Sequence, residues 1–511
     1  MIIERTKNAS RNIAIGSFSR LYSIIMQFAM RTVVLYFLGI QYLGLNGLFA
    51  SIIQVLSLAE LGVSAAMVYS MYEPIARDDD ETICALLNLY KKLYRIIGMV
   101  ILVAGLIIIP VLPYLVAADL PSDVNLYTIY LLNLGATVLS YWLFSYKTSL
   151  FQAFQRNDIQ SSITIVTNTI QYILQLYALI VWKSYYLYLI AKLFCQVLTN
   201  LSYGYISKKK YAKYIPKGKL PEKMQKQITG QIKDLFTAKL GNVLANSMDT
   251  LVVSSVLGLS LLAIYQNYYF IITSVIGFMV VVYQGCTAGI GNSLFVKSEE
   301  TNYHDFKTVT MLIICVLTFC CACFLSLFQP FIILWTGEEN MLSYACVIAF
   351  SAYFFVFEMN QLFDTYKDAA GIWHQDRFRP LIVAILNLIM NILLAKILGV
   401  LGIILGTVLS YSLISIPWIL LNIFNNIFSR NYFKDYCEFL FVAICKSVII
   451  MGMVAFVCSF SLPNQILEFG IKLVICGIIS AIFCMLLFRK NSHFLKCIEL
   501  LRKIVLSKIR R

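Results

Sequence analysis

The stretch SRLYSIIMQFAMRTVVLYFLG, residues 19–39, lies within the first long apolar run of the chain and predicts a membrane-spanning helix. About 20 mainly apolar residues are enough to cross a bilayer. The stretch nevertheless contains Arg20 and Arg31, and a guanidinium group keeps its charge at any physiological pH. Charged groups inside a span are costly and usually face a cavity or one another, so these arginines are candidate functional residues.

The composition of the whole chain is that of an integral membrane protein. Its 511 residues are 60% hydrophobic and only 13% charged, whereas a soluble domain needs more charge on its surface. The formal net charge of +15 is explained by basic loops on one side of a membrane, so no nucleic-acid partner is expected. The three histidines lack ligand spacing, and the 14 cysteines lie mostly in apolar runs as packing residues. We therefore predict neither a metal nor a cofactor.

The apolar runs predict an all-α polytopic membrane protein. There are fourteen such runs, each long enough to be a spanning helix. They cover residues 12–37, 43–72, 92–115, 123–148, 158–181, 185–206, 234–256, 260–294, 306–334, 341–370, 379–396, 402–425, 436–460 and 467–488.

The distribution of basic residues predicts the orientation of the chain. If the N-terminus lies in the cytoplasm, 32 Lys and Arg fall on the cytoplasmic side and three (Lys183, Lys396 and Lys472) on the other. The positive-inside rule favours that arrangement, with both termini in the cytoplasm. The tail carries Phe494, Ile498 and Leu501 on one helical face and basic residues elsewhere, as in an amphipathic helix that lies on an anionic membrane surface.

A weak internal repeat predicts two related halves. LGIQYLGLNGLFASIIQ from Leu38 and LGLSLLAIYQNYYFIIT from Leu257 match at a constant offset of 219 residues, at equivalent places in the two halves. Two six-helix lobes with the same sense of insertion are a common plan for secondary transporters. The predicted segments are an N-lobe at 1–206, a Lys-rich cytoplasmic linker at 207–233, a C-lobe at 234–425, two further helices at 426–490 and a basic amphipathic tail at 491–511.

Polar residues recur at helical spacing in six of the predicted spans. Such stripes either bind helices to one another or line a cavity, and their number favours a cavity. An amide-rich, cationic cavity suits sugar hydroxyls and phosphate groups. For the arginines of span 1, extension of the side chain towards the lipid headgroups is the alternative. The candidate binding residues are Arg20, Arg31, Lys192 and Lys239 for an anion, and Gln27, Asn168, Gln171, Gln175, Gln196, Asn242 and Asn246 for a sugar.

Four acidic residues lie inside predicted spans. Glu60, Asp249, Glu358 and Asp364 are candidates for carrying the ion that couples transport to a gradient. No large loop is predicted on the outer side, and the Lys-rich linker has one acidic residue, Glu222. We therefore predict a protein without catalytic residues. A membrane glycosyltransferase or polymerase is a remote alternative.

At this point the sequence resembles a known family. RTVVLYFLGIQYLGLNGLFASIIQVLSLAELGVSAAM (31–67) is similar to the first two helices of polysaccharide-unit flippases of the Wzx type. NSMDTLVVSSVLGLSLLAIYQNYYFII (246–272) is similar to their seventh and eighth helices, and YQGCTAGIGNSL and ILWTGEEN also look familiar. These flippases belong to the multidrug/oligosaccharidyl-lipid/polysaccharide (MOP) exporter superfamily.

The resemblance implies a V-shaped pair of lobes around a central cavity that works by alternating access. The implied substrate is an undecaprenyl-diphosphate-linked oligosaccharide, moved from the inner to the outer leaflet of a bacterial cytoplasmic membrane. Arg20 and Arg31 would hold the diphosphate. The last two spans, with Lys446, would form a groove for the lipid tail. A polysaccharide polymerase and a chain-length regulator are implied as partners, and a proton gradient or the membrane potential as the driving force.

Two other kinds of transporter in the same superfamily are the alternatives. A lipid II flippase of the MurJ type also has fourteen spans and a cationic cavity. A multidrug exporter usually has twelve spans and an acidic residue in the first of them. The arginines of span 1 argue against the multidrug exporter.

Overall fold

The computed structural model describes residues 5–116 and 120–499. Within these ranges the side chains of Lys239, Asn242 and Asn246 lie outside the description. The described residues form helices and contain no strand, which confirms the predicted all-α class.

The chain divides into two compact units, Met1–Ala263 and Ile264–Arg511. The boundary falls in the first turns of a long helix, α11 (Leu259–Val296). The helices of the first unit are α1 (Arg5–Phe37), α2 (Ile40–Leu56), α3 (Val63–Ala76), α4 (Asp80–Ile108), α5 (Leu112–Leu115), α6 (Leu126–Trp142), α7 (Thr148–Ala153), α8 (Asn157–Trp182), α9 (Tyr185–Lys210) and α10 (Glu222–Leu257). Those of the second, after α11, are α12 (Glu299–Thr336), α13 (Tyr344–Ala370), α14 (Trp373–Asp376), α15 (Arg379–Leu398), α16 (Val400–Ser410), α17 (Ile416–Asn426), α18 (Asn431–Val457) and α19 (Gln465–Phe488).

All fourteen predicted runs are helical, but they differ in how well they suit a membrane. Among the described residues, ten helices are long and apolar enough to span a bilayer, or eleven when the bent pair α6 and α7 is included. The other three predicted spans fall on α1, α9 and α10. Helices α1 and α9 are as long as the rest but carry polar stripes that lower their apolarity. In α10 several side chains lie outside the description, and the apolar part that is described is Ser247–Leu257.

The internal repeat has a counterpart in the backbone. Gly39 joins α1 to α2 with φ 105° and ψ 174°, and Gly258 joins α10 to α11 with φ 93° and ψ 171°. Glycine adopts this conformation readily because it lacks a Cβ atom. The Leu-Gly pair at each position therefore makes the same helix junction in both halves of the chain.

Two predicted spans of the first unit are broken. The run 43–72 forms α2 and α3, separated by a 3₁₀ turn at Ser57–Glu60 and by Gly62 with φ 85°. A Cβ atom on Gly62 would lie 2.6 Å from the Cβ atom of Leu235 in α10, so the break fits closely against that helix. The run 123–148 bends by 49° between α6 and the helical segment Ser145–Ala153.

The segment predicted as a linker is partly helical. Helix α9 continues to Lys210 and α10 begins at Glu222, which leaves only residues 211–221 outside helices. Lys213 in this segment forms an ion pair with Asp80 at 2.8 Å, so the segment is fastened to the start of α4. In the tail, residues 492–499 are helical, and residues 500–511 lie outside the described part of the chain.

The second unit is centred on α12, which packs against α13, α18 and α19. Aromatic side chains fill the contact near the start of α12. The ring of Phe306 lies 4.6 Å from that of Tyr436 and 4.5 Å from that of Tyr366, measured between centroids. Burying such rings contributes about 2 kcal/mol or more for each side chain.

Candidate functional site

The face of α1 that carries the predicted stripe is open. Arg20 and Gln27 are exposed, and Arg31 is half-buried. The opposite side of α1 packs against α8, where the hydroxyl groups of Tyr22 and Thr169 are 2.6 Å apart. Of the three candidates on this helix, two are therefore accessible to a ligand over most of their length.

The stripe on α8 is used partly for packing. Gln175 is 1% exposed; its side chain accepts a hydrogen bond from Gln171 at 3.4 Å and donates one to the carbonyl oxygen of Tyr188 in α9 at 3.3 Å. Thr199 of α9 donates to Thr167 of α8 at 2.8 Å. These contacts join the two helices, and they give Gln175 a structural role that its spacing alone did not reveal.

The other predicted binding residues differ in accessibility. Asn168 and Gln196 are half-buried. Lys192 is exposed, and its ammonium group donates to the buried Asn133 at 3.1 Å. Lys239, Asn242 and Asn246 lie on the helical part of α10, with side chains outside the described residues.

Glu60 lies at the break between α2 and α3 and is surrounded by tyrosines. The hydroxyl of Tyr94 donates to one carboxyl oxygen at 2.8 Å, and that of Tyr141 donates to the other at 3.3 Å. Tyr90 donates in turn to Tyr94 at 2.7 Å. The break in the helix and the tyrosines together hold this carboxyl group in one orientation.

Glu358 of α13 has a different environment. It is 0% exposed, and among the described residues neither of its carboxyl oxygens has a hydrogen-bond partner of standard geometry. The neighbouring hydroxyl, that of Tyr283 in α11, donates to the backbone carbonyl of Glu358 at 3.1 Å. A buried carboxylate without a cation or donors is expensive, whereas the neutral acid is tolerated much better. The site is therefore suited to a carboxyl group that carries a proton.

Asp364, six residues further on, is an ion-pair residue. It binds Arg379 at 2.5 Å and Lys367 at 2.9 Å, and Asn360 donates to its second oxygen at 2.8 Å. Arg379 is 3% exposed and also binds Asp376 through two nitrogens, at 2.8 Å each. Asp364 thus belongs to a network that fastens α13 to the start of α15.

The sequence prediction missed Arg379 and Asp376. Asp376 lies in a predicted cytoplasmic loop and Arg379 is the first residue of the predicted span 379–396, and charged residues are ordinary at such positions. The available signal was the spacing of Asp376 and Arg379 three residues apart at a helix start, which allows one helical turn to pair them. Asp249, the remaining acidic candidate, is buried in α10 at 8% exposure.

Comparison with known proteins gives the class first. The fold is shared with a lipid II flippase, MurJ, in an inward closed conformation. The two structures superpose with a TM-score of 0.69 and 15% sequence identity, and the match covers 93% of this chain and 98% of the other. It is also shared with an inward-facing multidrug resistance MATE family transporter of the MOP superfamily. Here the TM-score is 0.62 and the sequence identity 15%, and the match covers 82% of this chain and 96% of the other. The protein is a multi-pass helical membrane protein with the MOP transporter fold, as the sequence resemblance to that superfamily implied.

The family follows from the sequence. A model of the family described as polysaccharide biosynthesis protein matches residues 9–286, more than half of the chain, and the chain belongs to that family. A search of curated proteins finds no match.

Proposed function

We propose that this protein moves an undecaprenyl-diphosphate-linked oligosaccharide repeat unit from the inner to the outer leaflet of a bacterial cytoplasmic membrane. Membership of the polysaccharide biosynthesis family supports a glycan-bearing substrate. The open face of α1, with Arg20, Gln27 and Arg31, is the observation that carries the proposal. Guanidinium groups bind phosphate through paired, charge-assisted hydrogen bonds, and amides suit sugar hydroxyls.

In this proposal the two halves related by the repeat are lobes that alternate in opening towards each leaflet. Lys192 and Lys239 add positive charge for the diphosphate, and Asn168, Gln171, Gln196, Asn242 and Asn246 add polar groups for the sugar. Both termini lie in the cytoplasm. A polymerase and a chain-length regulator act on the product.

Among the four acidic candidates, Glu358 is the one best suited to couple transport to a proton gradient. A proton carrier must exist as a neutral acid for part of its cycle, and the buried, unpaired carboxyl of Glu358 favours that form. Asp364 is less suited because it forms ion pairs with Arg379 and Lys367. Glu60 accepts hydrogen bonds from tyrosine hydroxyls, so its suitability as a proton carrier lies between that of Glu358 and that of Asp364.

Flipping of lipid II for peptidoglycan is the second candidate function. It is favoured by the fold shared with the lipid II flippase over 93% of this chain. Both substrates contain a polyprenyl diphosphate, so the arginines of α1 do not separate the two. The two substrates differ in the glycan attached to the diphosphate.

Complementation of two bacterial strains tests the proposal. One strain lacks its own repeat-unit flippase, and the other is depleted of its lipid II flippase. We expect restored surface polysaccharide in the first strain and no growth rescue in the second. Growth rescue without polysaccharide would replace the proposal with the second candidate, and failure of both in cells that contain the protein in the membrane would refute the two together.

A further inference from the structure

The bend between α6 and α7 is fixed by its two neighbouring helices. The indole nitrogen of Trp142 donates to the carbonyl oxygen of Arg95 in α4 at 3.3 Å. Phe144 has φ 28°, unusual for a residue with a side chain, and its ring covers Gly204 of α9. A Cβ atom on Gly204 would lie 2.8 Å from Cγ of that ring. The bend is therefore held between α4 on one side and α9 on the other.

This bend brings basic side chains from three elements together. Lys147, half-buried just after the bend, lies with its ammonium group 5.4 Å from the ring centroid of Phe144. Lys91 lies one helical turn before Arg95 on α4, and Lys208 lies one turn after Gly204 on α9, so each shares a face with the contact to the bend. Lys91 and Lys208 are the charged groups that act on Lys147. We call Lys91, Arg95, Lys147 and Lys208 the basic cluster.

The basic cluster has no acidic partner in the described part of the chain. The ion pairs found there involve other side chains. Lys91 and Lys147 are half-buried, whereas Arg95 and Lys208 are exposed. Like charges held close together repel one another, and the repulsion is relieved when an anion binds between them. The contacts of the bend with α4 and α9 place Lys147 between the helices that carry Lys91 and Lys208.

The position of the cluster along the helices indicates the kind of anion. Lys208 lies at the basic end of α9, two residues before its last residue, Lys210. By the positive-inside rule that end faces the cytoplasmic leaflet, at the level of the lipid headgroups. Basic side chains near an anionic membrane surface are attracted to its lipids. Phosphate is the common charged group at that level, and its oxygens accept hydrogen bonds from several ammonium groups at once.

We propose that the basic cluster binds the phosphate group of a lipid in the cytoplasmic leaflet. The site is carried by α4, the bend and the end of α9. The proposed substrate residues lie on α1, α8, α10 and an earlier part of α9, where Gln196 is about three turns before Lys208. The phosphate can belong to an anionic phospholipid or to a polyprenyl diphosphate, and the experiment separates these two sources. Binding at this site does not depend on the transport function proposed above.

The test measures thermal stabilisation of the purified protein in an uncharged detergent. The probes are phosphatidylglycerol, farnesyl diphosphate and diacylglycerol, which lacks phosphate. The test variant is K91Q/K147Q/K208Q. The control is K92Q/K209Q/K226Q, which removes the same charge from neighbouring exposed positions. Lys147→Arg keeps the charge and should behave as wild type.

We expect phosphatidylglycerol, farnesyl diphosphate or both to raise the melting temperature of the wild type and the control. The cluster variant should lose at least half of that increase, and diacylglycerol should have no such effect. A response to phosphatidylglycerol alone identifies a phospholipid site, and a response to farnesyl diphosphate alone identifies a site for the carrier lipid. Equal stabilisation of the cluster variant and the control overturns the proposal. The proposal is also overturned if Lys147→Arg loses the stabilisation to the same extent as the cluster variant.

Discussion

Arg20 and Arg31 are eleven residues apart, which is close to three turns of a helix, so both lie on one side of α1. The opposite side is occupied by the contact of Tyr22 with Thr169 of α8. A charged residue that served only to anchor the helix in headgroups would not need a fixed direction around its axis. The shared direction with the exposed Gln27 favours a ligand.

Replacing both arginines tests that assignment. We expect R20A/R31A to lose surface polysaccharide while remaining in the membrane, with each single variant reduced at least about tenfold. The reason is that a hydrogen bond to a charged group contributes about 1.5–3 kcal/mol. Polymer is quantified in the complemented strain, and membrane content by immunoblot. R77A is the control, because Arg77 is an exposed arginine that pairs with Glu73 at the end of α3. Normal polymer in the double variant would show that α1 does not bind the diphosphate.

Glu358 and Asp364 lie on the same helix but should respond oppositely to neutral replacement. E358Q resembles the neutral acid in shape and charge, so we expect a melting temperature near that of wild type and loss of transport. D364N removes a charged partner of Arg379 and Lys367 inside the protein. We expect it to destabilise the fold by about 2–3 kcal/mol. Both melting temperatures and polymer levels are measured. A stable, transport-deficient D364N would move the coupling role to that residue.

Helices were predictable from the sequence to a greater extent than their breaks. Apolar runs of about 20 residues predict spans because lipid offers the backbone no other partner. The break after α2 has Gly62 as its one local signal, and the bend at Phe144 has neither glycine nor proline. Both breaks depend on contacts with other helices, which periodicity does not encode. The same holds for Gln175 and Arg379, whose partners come from other helices.

Helix α2 packs closely against the start of α11. A Cβ atom on Gly44 would lie 2.2 Å from the carbonyl oxygen of Leu259, so the two backbones touch. We expect G44A to lower the free energy of unfolding by about 1–3 kcal/mol, as overpacking does. G135A is the matched control, since a Cβ atom there meets nothing within 4 Å. Alanine should be neutral or slightly stabilising at that position. The melting temperatures of G44A and G135A are compared by thermal denaturation. Equal values would contradict the close contact of Gly44 with Leu259.

The helical segment 492–499 is docked on α12 through His493. That side chain is 6% exposed, and its Nδ1 atom lies 2.9 Å from the hydroxyl of Thr308. Burial, together with the positive charge of the neighbouring Lys307, His304 and Lys496, lowers the pKa of His493 to about 4, and Asp435 acts in the opposite direction. An exposed histidine has a pKa of about 6.5, so the undocked segment binds the proton more tightly.

Acidification should therefore weaken this docking. The stabilisation from His493 is complete above about pH 6.5 and is lost progressively as the pH falls towards 4, because the free segment takes up a proton first. We expect hydrogen exchange of residues 492–499, corrected for intrinsic rates, to be faster at pH 5 than at pH 7. In H493Q the difference should largely disappear. An unchanged difference in H493Q would assign the pH dependence to another group.

For the whole molecule, the decisive quantity is how many helices cross the membrane. In the described part of the chain, length and apolarity support ten or eleven spans, whereas the apolar runs of the full sequence predict fourteen. The predicted spans not counted are α1, α9 and α10, and α10 is described only in part. If a polar stripe faces a water-filled cavity rather than lipid, a helix can cross the membrane with lower overall apolarity. This accounts for α1 and α9, whose polar residues lower their apolarity.

Reporter fusions on either side of each helix test this. We expect fusions after Gly39, Lys183 and Gly258 to give active alkaline phosphatase, which folds outside the cytoplasm, and a fusion after Lys219 to give a fluorescent cytoplasmic reporter. Lys183 and Lys219 flank α9, and Lys219 and Gly258 flank α10. The three lysines that end α9 should hold that end in the cytoplasm. The same reporter active on both sides of α9 or of α10 would mean that the helix does not cross. Its polar stripe would then lie at the membrane surface, and the proposed cavity would lose that wall.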